Sequence, residues 1–121
     1  LGIPCKPCSC PGINGNDFSS GCAYDKLIGK QICFCKPGYT GERCEECESF
    51  YYGDPLQTNG SCIKCECNNN IDYDCLENCD KKTGECKNCL YNTEGWNCDK
   101  CKLGYFGNAL LHKCERNLFY V

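Results

Sequence analysis

Apolar residues along the chain follow no helical period and occur in short runs separated by turn signals. Turns need backbone angles that glycine, proline and asparagine adopt readily, and four dipeptides have this character. They are Asn14-Gly15, Pro37-Gly38, Asn59-Gly60 and Gly107-Asn108. The run Ile32–Cys35 has the composition of one arm of a small hairpin. The pattern predicts little regular secondary structure and short β-hairpins.

Cysteine dominates the composition, with 18 of the 121 residues. The hydrophobic fraction of 41% counts these cysteines, and only 18 residues are Ala, Val, Ile or Leu. So few aliphatic side chains cannot build one sizeable core, and small chains of this kind depend on cross-links. Each disulfide contributes roughly 2–4 kcal/mol by restricting the unfolded chain. Disulfides on this scale require an oxidising compartment, which predicts secretion.

Charge and targeting signals narrow the class further. Leu1–Pro4 is too short for the apolar part of a signal peptide. No run approaches the roughly 20 apolar residues of a membrane span. We therefore expect a segment of a longer secreted chain, without membrane insertion. The net charge of −3, with no basic cluster, argues against nucleic acid as a partner.

The cysteines form an internal repeat, which is the strongest signal in the sequence. Three recur 57 residues later, three recur 54 residues later, and Cys62 recurs as Cys114. The first set is Cys8, Cys10 and Cys22, repeated as Cys65, Cys67 and Cys79; the second is Cys35, Cys44 and Cys47, repeated as Cys89, Cys98 and Cys101. Other residues keep this register: Gly41 matches Gly95, and the run 51–56 matches 105–110. Their paired aromatics are expected to form a miniature core or a pad against the next module.

The repeat has the spacing C-x-C-x11-C-x10-C-x-C-x8-C-x2-C-x14-C in the first copy and C-x-C-x11-C-x6-C-x2-C-x8-C-x2-C-x12-C in the second. This resembles the laminin-type EGF-like module, which has eight cysteines where ordinary EGF modules have six. The runs 67–72, 79–86 and 89–95 look like consecutive modules of a laminin short arm, and Tyr105–Leu110 is most similar to a beta-type chain. Netrins and heparan sulfate proteoglycans also carry such modules. The resemblance implies a small, disulfide-rich, rod-like fold.

The resemblance divides the chain into the end of a truncated preceding module (1–7), modules at 8–62 and 65–114, and a tail (115–121). Only Ile63 and Lys64 separate the modules, so we expect a stiff joint. Eight cysteines allow 105 connectivities, and the family's order selects one of them. It implies Cys8–Cys22, Cys10–Cys33, Cys35–Cys44 and Cys47–Cys62, then Cys65–Cys79, Cys67–Cys86, Cys89–Cys98 and Cys101–Cys114.

Two cysteines have no assigned partner. Cys5 is the last cysteine of the preceding module, and Cys75 stands where the first copy has Phe18. Either is a candidate free thiol, or the two pair with each other or with another chain.

The loop from Asn70 to Leu76 is similar to the loop by which a laminin gamma chain binds nidogen, which reads Asn-Ile-Asp-Pro-Asn-Ala-Val. Asn70, Ile71 and Asp72 match it, whereas Tyr73, Asp74, Cys75 and Leu76 depart from it. Beta-type chains carry a similar Asn-Ile-Asp start without being the main nidogen binder. The candidate partner residues are Asn70, Ile71, Asp72, Asp74 and Leu76, with a solvated structural loop as the competing interpretation.

Other candidate chemistry has weaker support. Cys86, Cys89, Cys98 and Cys101 have the spacing of a zinc ribbon, but the eight-cysteine period and the lack of nearby histidine ligands argue against zinc. Asp72, Asp74 and Asp80 are oxygen ligands in one region, yet the positions before each first cysteine lack the acidic residues of calcium-binding modules. We expect no metal and no cofactor.

Asn59-Gly60-Ser61 is an N-glycosylation sequon on a turn. The only histidine, His112, has no nucleophile constellation around it, so we expect no enzyme. Trp96, the only tryptophan, is expected to form a packed cap on its loop, with an exposed contact residue as the alternative.

These features predict a structural segment of extracellular matrix and basement membrane. The resemblance implies a rigid spacer that supports assembly and cell adhesion, with other laminin chains as partners through regions outside this segment. The alternative is a docking site, through residues 70–76, for a matrix partner such as nidogen or for a cell-surface receptor.

Overall fold

The chain folds as a series of small hairpins held by disulfides. A computed structural model describes residues 8–116. Within this range ten short strands pair as five two-stranded antiparallel sheets, and the family fold class expected from the sequence is confirmed. The strands are β1 (Ser19–Asp25), β2 (Lys30–Cys35), β3 (Tyr39–Thr40), β4 (Glu46–Cys47), β5 (Tyr51–Gly53), β6 (Cys62–Lys64), β7 (Thr93–Glu94), β8 (Lys100–Cys101), β9 (Tyr105–Asn108) and β10 (Lys113–Arg116). A 3₁₀ turn, Ala109–Leu111, joins β9 to β10.

Two hairpins occur in both modules at equivalent positions. β3 pairs with β4 through Tyr39 opposite Cys47, and β7 pairs with β8 through Thr93 opposite Cys101. β5–β6 and β9–β10 form the second equivalent pair, each closing its module. Gly41 and Gly95 follow the first strand of the first hairpin with φ of 98° and 102°. Glycine adopts these positive φ values without a side-chain penalty, so both residues form the turn that follows the strand.

The hairpin β1–β2 belongs to the first module alone. It contains the register pair Cys22 opposite Cys33, and the second module retains only an isolated bridge between Cys79 and Cys86. The reason is loop length, since ten residues lie between the first pair of cysteines and six between the second. The expected strand over residues 32–35 lies within β2.

Eight disulfides tie the loops together in the described part of the chain, and their partners are those that the family resemblance implies. They are Cys8–Cys22, Cys10–Cys33, Cys35–Cys44, Cys47–Cys62, Cys65–Cys79, Cys67–Cys86, Cys89–Cys98 and Cys101–Cys114. Cys75 is exposed and unpaired. Cys5, with the rest of residues 1–7, lies outside the described residues, as do 117–121 of the tail.

Cysteine side chains make up most of the buried apolar material. In the first module Cys10, Cys33 and Cys44 form a cluster covered by Phe18 and Tyr39, whose rings stack with centroids 4.2 Å apart. In the second module five cysteines surround Ile71, the only large aliphatic side chain buried within residues 8–116. Cross-links thus take the place of an aliphatic core in both modules.

The described pairing predicts the outcome of alkylating the folded, secreted protein before proteolysis under non-reducing conditions. Mass spectrometry should recover the eight linked peptide pairs, with Cys75 as the labelled cysteine among residues 8–116, because its thiol is exposed. A sample reduced and denatured before labelling should carry label at every cysteine. A linked peptide joining Cys75 to any of the sixteen paired cysteines would contradict this arrangement.

Candidate functional site

The joint between the modules is a continuation of a hairpin. Its two linking residues, Ile63 and Lys64, lie in β6 and pair with Tyr52 and Tyr51 of β5. The pairing extends into the second module, because the backbone N–H of Cys65 donates to the Phe50 carbonyl at 2.8 Å. The linker is therefore fixed by backbone hydrogen bonds along its whole length, which restricts bending between the modules.

A second set of contacts joins the end of β5 to a turn of the next module. The Gly53 N–H donates to the Lys81 carbonyl at 2.9 Å. Gly53 has a φ of 133°, and a Cβ on it would lie 2.0 Å from the Ser61 carbonyl oxygen. No other residue fits, because the backbone at Ser61, just before β6, passes too close and the backbone angle is one that side chains disfavour. This glycine lets the last hairpin of one module approach the next.

The turn that receives Gly53, residues 80–84, is organised by Asp80. Its carboxylate accepts from the backbone N–H groups of Lys82 at 2.7 Å and Thr83 at 3.1 Å. These two donors lower the pKa of Asp80, and the nearby positive charge of Lys87, whose Nζ lies 3.6 Å away, adds to the effect. The Asp80 carbonyl accepts from the Gly84 N–H at 2.8 Å and closes the turn.

Aromatic rings fill the remaining space at the joint. A Cβ on Gly84 would lie 2.7 Å from Tyr52 Cδ1, so the Tyr52 ring rests directly on this buried glycine. Phe50 and Tyr52 pack against the cysteine cluster of the second module, and Phe50 meets Tyr73 edge-on at 5.0 Å. Tyr51 instead lies over Gly38 of its own module. Neighbouring strand residues face opposite sides, so this aromatic pair supplies both the miniature core and the intermodule pad.

Asn70 ties three loops of the second module together. It is fully buried, and its Nδ2 donates to the Cys98 carbonyl at 2.8 Å and to the Ala109 carbonyl at 3.0 Å. Its own carbonyl accepts from the Leu90 N–H at 2.6 Å. Ile71 is buried beside it in the cysteine cluster. The prediction that Asn70 and Ile71 contact a partner is wrong, because both side chains are used by the core.

The rest of that loop is on the surface. The Asp72 carboxylate accepts from the Asp74 N–H at 2.9 Å, and the Asp72 carbonyl accepts from the Cys75 N–H at 3.2 Å. Asp72, Asp74 and Leu76 are exposed, Leu76 by 61%. These three candidate residues are therefore accessible, and Asp72 also stabilises the loop conformation through its hydrogen bonds.

The cysteines with zinc-ribbon spacing are all used in disulfides. Cys86 pairs with Cys67, Cys89 with Cys98, and Cys101 with Cys114, so no thiolate set is available there. Within residues 8–116 no cluster of three or more candidate metal ligands is present, and no helix there is long and apolar enough to cross a membrane.

The remaining candidate residues lie on the surface. His112 is exposed and stacks on Tyr91 with ring centroids 4.1 Å apart. The Trp96 side chain is 52% exposed, so the packed cap expected from the sequence is wrong. The backbone of Trp96 does close its loop, since its carbonyl accepts from the Cys86 N–H at 2.9 Å. Asn59 is exposed at the tip of the loop between β5 and β6.

Lys81 and Gly84 form the surface of the second module on which β5 rests, here called the seat. Sequence reasoning did not identify it. The Thr-Gly pair before Cys86 signals a turn with a positive φ, which Gly84 has at 80°, but no sequence pattern says which ring lies on it.

These observations define a class of protein, a disulfide-stapled array of small modules joined without free linkers. The sequence profile described as "Laminin EGF domain" matches residues 8–62 and 65–116, and the chain belongs to this family. The family is structural and non-enzymatic, and its laminin members are secreted proteins of the basement membrane.

Named relatives cover nearly the whole chain. It is 45% identical to laminin subunit beta-1 of Homo sapiens over 117 residues, which is 95% of this chain and 7% of that protein. It is 47% identical to laminin subunit beta-4 of Danio rerio, covering 94% of this chain and 6% of that protein. It is 46% identical to laminin subunit gamma-1 of Homo sapiens, covering 88% and 6%. The chain thus spans less than a tenth of the length of these relatives.

Removing the Asn70 side chain should destabilise the second module. Asn70→Ala loses two buried hydrogen bonds and leaves the carbonyls of Cys98 and Ala109 without this donor, a cost of roughly 1–3 kcal/mol. Urea unfolding with disulfides intact, followed through Trp96, measures it. The matched control, Asp74→Ala, alters an exposed side chain and should stay within about 0.5 kcal/mol of the parent. Equal effects of the two substitutions would show that Asn70 does not tie the loops together.

The joint can be tested by adding one methyl group. Gly84→Ala should destabilise the protein by more than Gly104→Ala, a control with a similar φ of 90° and no neighbour within 4 Å. The control reports backbone strain of about 1–2 kcal/mol. The expected excess of about 1–3 kcal/mol at Gly84 reflects overlap with Tyr52.

The same excess should vanish when both glycine variants are remeasured in a Tyr52→Ala background, by urea unfolding with disulfides intact. An excess that persists without the ring would place its origin elsewhere than at the joint.

Proposed function

We propose that this segment is a rigid spacer within a laminin-like chain, which holds distal binding domains at fixed separation in the basement membrane. The observation that carries the proposal is the joint. Paired backbone from Ile63 to Cys65, the Gly53–Lys81 hydrogen bond and the Tyr52–Gly84 contact fix the second module against the first. The activity of such a segment is mechanical.

The first module has a counterpart of the seat that the second module provides. In the turn 25–29 the Asp25 carboxylate accepts from the Leu27 N–H at 2.8 Å, and the Asp25 carbonyl accepts from the Gly29 N–H at 2.8 Å. The turn 80–84 has the same two bonds, since Asp80 accepts from the Lys82 N–H through its carboxylate and from the Gly84 N–H through its carbonyl. This equivalence supports an array that continues through a module ending at Cys5, with residues 1–7 as the end of that module.

In the assembled protein, other laminin chains are the proposed partners, through regions outside this segment, and other matrix proteins bind at the distal domains. The support is the similarity to laminin beta and gamma subunits along nearly the whole chain. On this proposal the segment supports assembly and cell adhesion by setting distance and direction.

The spacer proposal predicts that the two modules tumble as one body in solution. Residual dipolar couplings measured for backbone N–H vectors in residues 8–62 and 65–114 should fit a single alignment tensor. Gly84→Val, which forces the Tyr52 ring off its seat, should separate the fit into two tensors, whereas Gly104→Val should not, since a Cβ at Gly104 meets nothing within 4 Å. Two independent tensors in the parent protein would overturn the proposal.

A second candidate function is docking of a matrix partner such as nidogen, or of a cell-surface receptor, on the exposed part of the loop 70–76. The observation favouring it is the exposure of Asp74 and Leu76 on a loop that Asp72 holds in shape. Surface plasmon resonance against nidogen tests it. Docking requires that Asp74→Ala and Leu76→Ala each weaken binding, whereas Leu103→Ala, at a residue 97% exposed outside the loop, should not. Binding that is unchanged in all three variants would refute docking through this loop, and the spacer function would then be the one that remains.

A further inference from the structure

One asparagine in the described part of the chain differs from all the others. This residue is Asn59, whose side chain is exposed and makes no hydrogen bond. Every other asparagine among residues 8–116 donates or accepts through its side chain. They are Asn14, Asn16, Asn68, Asn69, Asn70, Asn78, Asn88, Asn92, Asn97 and Asn108. Asn59 is also the one asparagine in the whole sequence that begins a sequon.

The loop holds Asn59 at its tip. Gly60 N–H donates to the Gln57 carbonyl at 2.8 Å, which closes a turn in which Asn59 has a left-handed φ of 59°. Asparagine tolerates this conformation better than most residues. A Cβ on Gly60 would lie 1.9 Å from the Asp54 carbonyl oxygen, so the middle residue of the sequon is packed inside the loop. The Asn59 side chain is exposed and makes no hydrogen bond to this turn.

That base is anchored to the first loop of the same module. Asn14 Nδ2 donates to the Leu56 carbonyl at 2.7 Å, and Asn16 Nδ2 donates to the Gln57 carbonyl at 2.7 Å. The equivalent loop of the second module is two residues shorter, with six residues between Gly107 and Cys114 against eight between Gly53 and Cys62. The two additional residues bring an asparagine to the tip without altering the paired strands below it.

We propose that Asn59 carries an N-linked glycan. In the transfer, Asn59 Nδ2 forms a bond to the anomeric carbon of an oligosaccharide carried on a polyprenyl diphosphate. The bond between that carbon and the diphosphate oxygen breaks, the lipid diphosphate leaves with the bonding electrons, and the amide loses one proton. The oligosaccharide donor belongs to the secretory pathway, through which proteins of this family pass. The site does not depend on the spacer role of the segment.

The glycan would extend from the loop 54–61 of the first module, which takes no part in the contacts described at the joint. Asn59 is exposed, whereas Gly53 and Tyr52, which contact the second module, lie on the strand before this loop. A sugar on this exposed side chain extends into solvent. Stacking of the modules is therefore compatible with a fully occupied site.

The test uses the full secreted chain made in animal cells. Its peptides are treated with peptide N-glycosidase in ¹⁸O water, which converts glycosylated asparagine to ¹⁸O-labelled aspartate. We expect the label at residue 59. A portion incubated in the same water without enzyme is the essential control, because an Asn-Gly pair also deamidates spontaneously. An unmodified Asn59 peptide of equal abundance with and without the enzyme would overturn the proposal.

Two variants at Ser61 separate glycosylation from folding. Ser61→Ala destroys the sequon and should abolish the glycopeptide, whereas Ser61→Thr preserves the sequon and should retain it. If Ser61→Ala is not secreted, Asn59→Gly provides the same test, because glycine accepts the left-handed φ at this position. A Ser61→Ala protein that keeps the enzyme-dependent ¹⁸O label at residue 59 would also refute the assignment.

Discussion

Covalent cross-linking is the constraint on which the rest of this structure depends. The chain has too few aliphatic residues to hold its loops by burial, and the clusters at the centre of each module consist mainly of cysteine. Disulfides restrict the unfolded chain and bring backbone segments within hydrogen-bonding distance. Once fixed, those segments pair as strands of two to seven residues, which would not persist as isolated hairpins in water.

The two modules share the same disulfide pattern but differ in the lengths of two loops. The first module extends its second loop into the hairpin β1–β2, whereas the second module keeps only a bridge between Cys79 and Cys86. The first module also has the longer last loop, which carries Asn59. In both modules an asparagine amide ties that last loop to the first loop, Asn16 in one and Asn70 in the other. Variation is thus confined to the tips of loops whose bases are fixed.

The modules are joined without a free linker, which restricts movement between them. Ile63 and Lys64 are strand residues, so bending at the joint would break β-pairing, the Gly53–Lys81 bond and the contact of Tyr52 with Gly84 together. Each contact is modest alone, and their geometry makes them cooperative because all three restrain the same two bodies. The organisation of the turn by Asp80 contributes most when its carboxylate is ionised, and its lowered pKa keeps that form populated into acid.

The sequence by itself determined the module repeat, the boundaries of the cross-linked units, the turn glycines and the brevity of the joint. These are properties of spacing along the chain, and cysteine spacing limits which loops are possible. The disulfide order came from the family resemblance and not from spacing, which leaves 105 pairings open for each module.

Tertiary structure decided what each side chain does at a given position. Asn70 and Asp72 lie two residues apart in a loop that resembles a binding site, yet one amide is buried against Cys98 and Ala109 while the other residue's carboxylate faces solvent. Trp96 was expected to be covered and is half exposed, and Gly84 became the seat of Tyr52. Burial depends on which distant segments arrive at a residue, and the local pattern of polar and apolar positions does not contain that information.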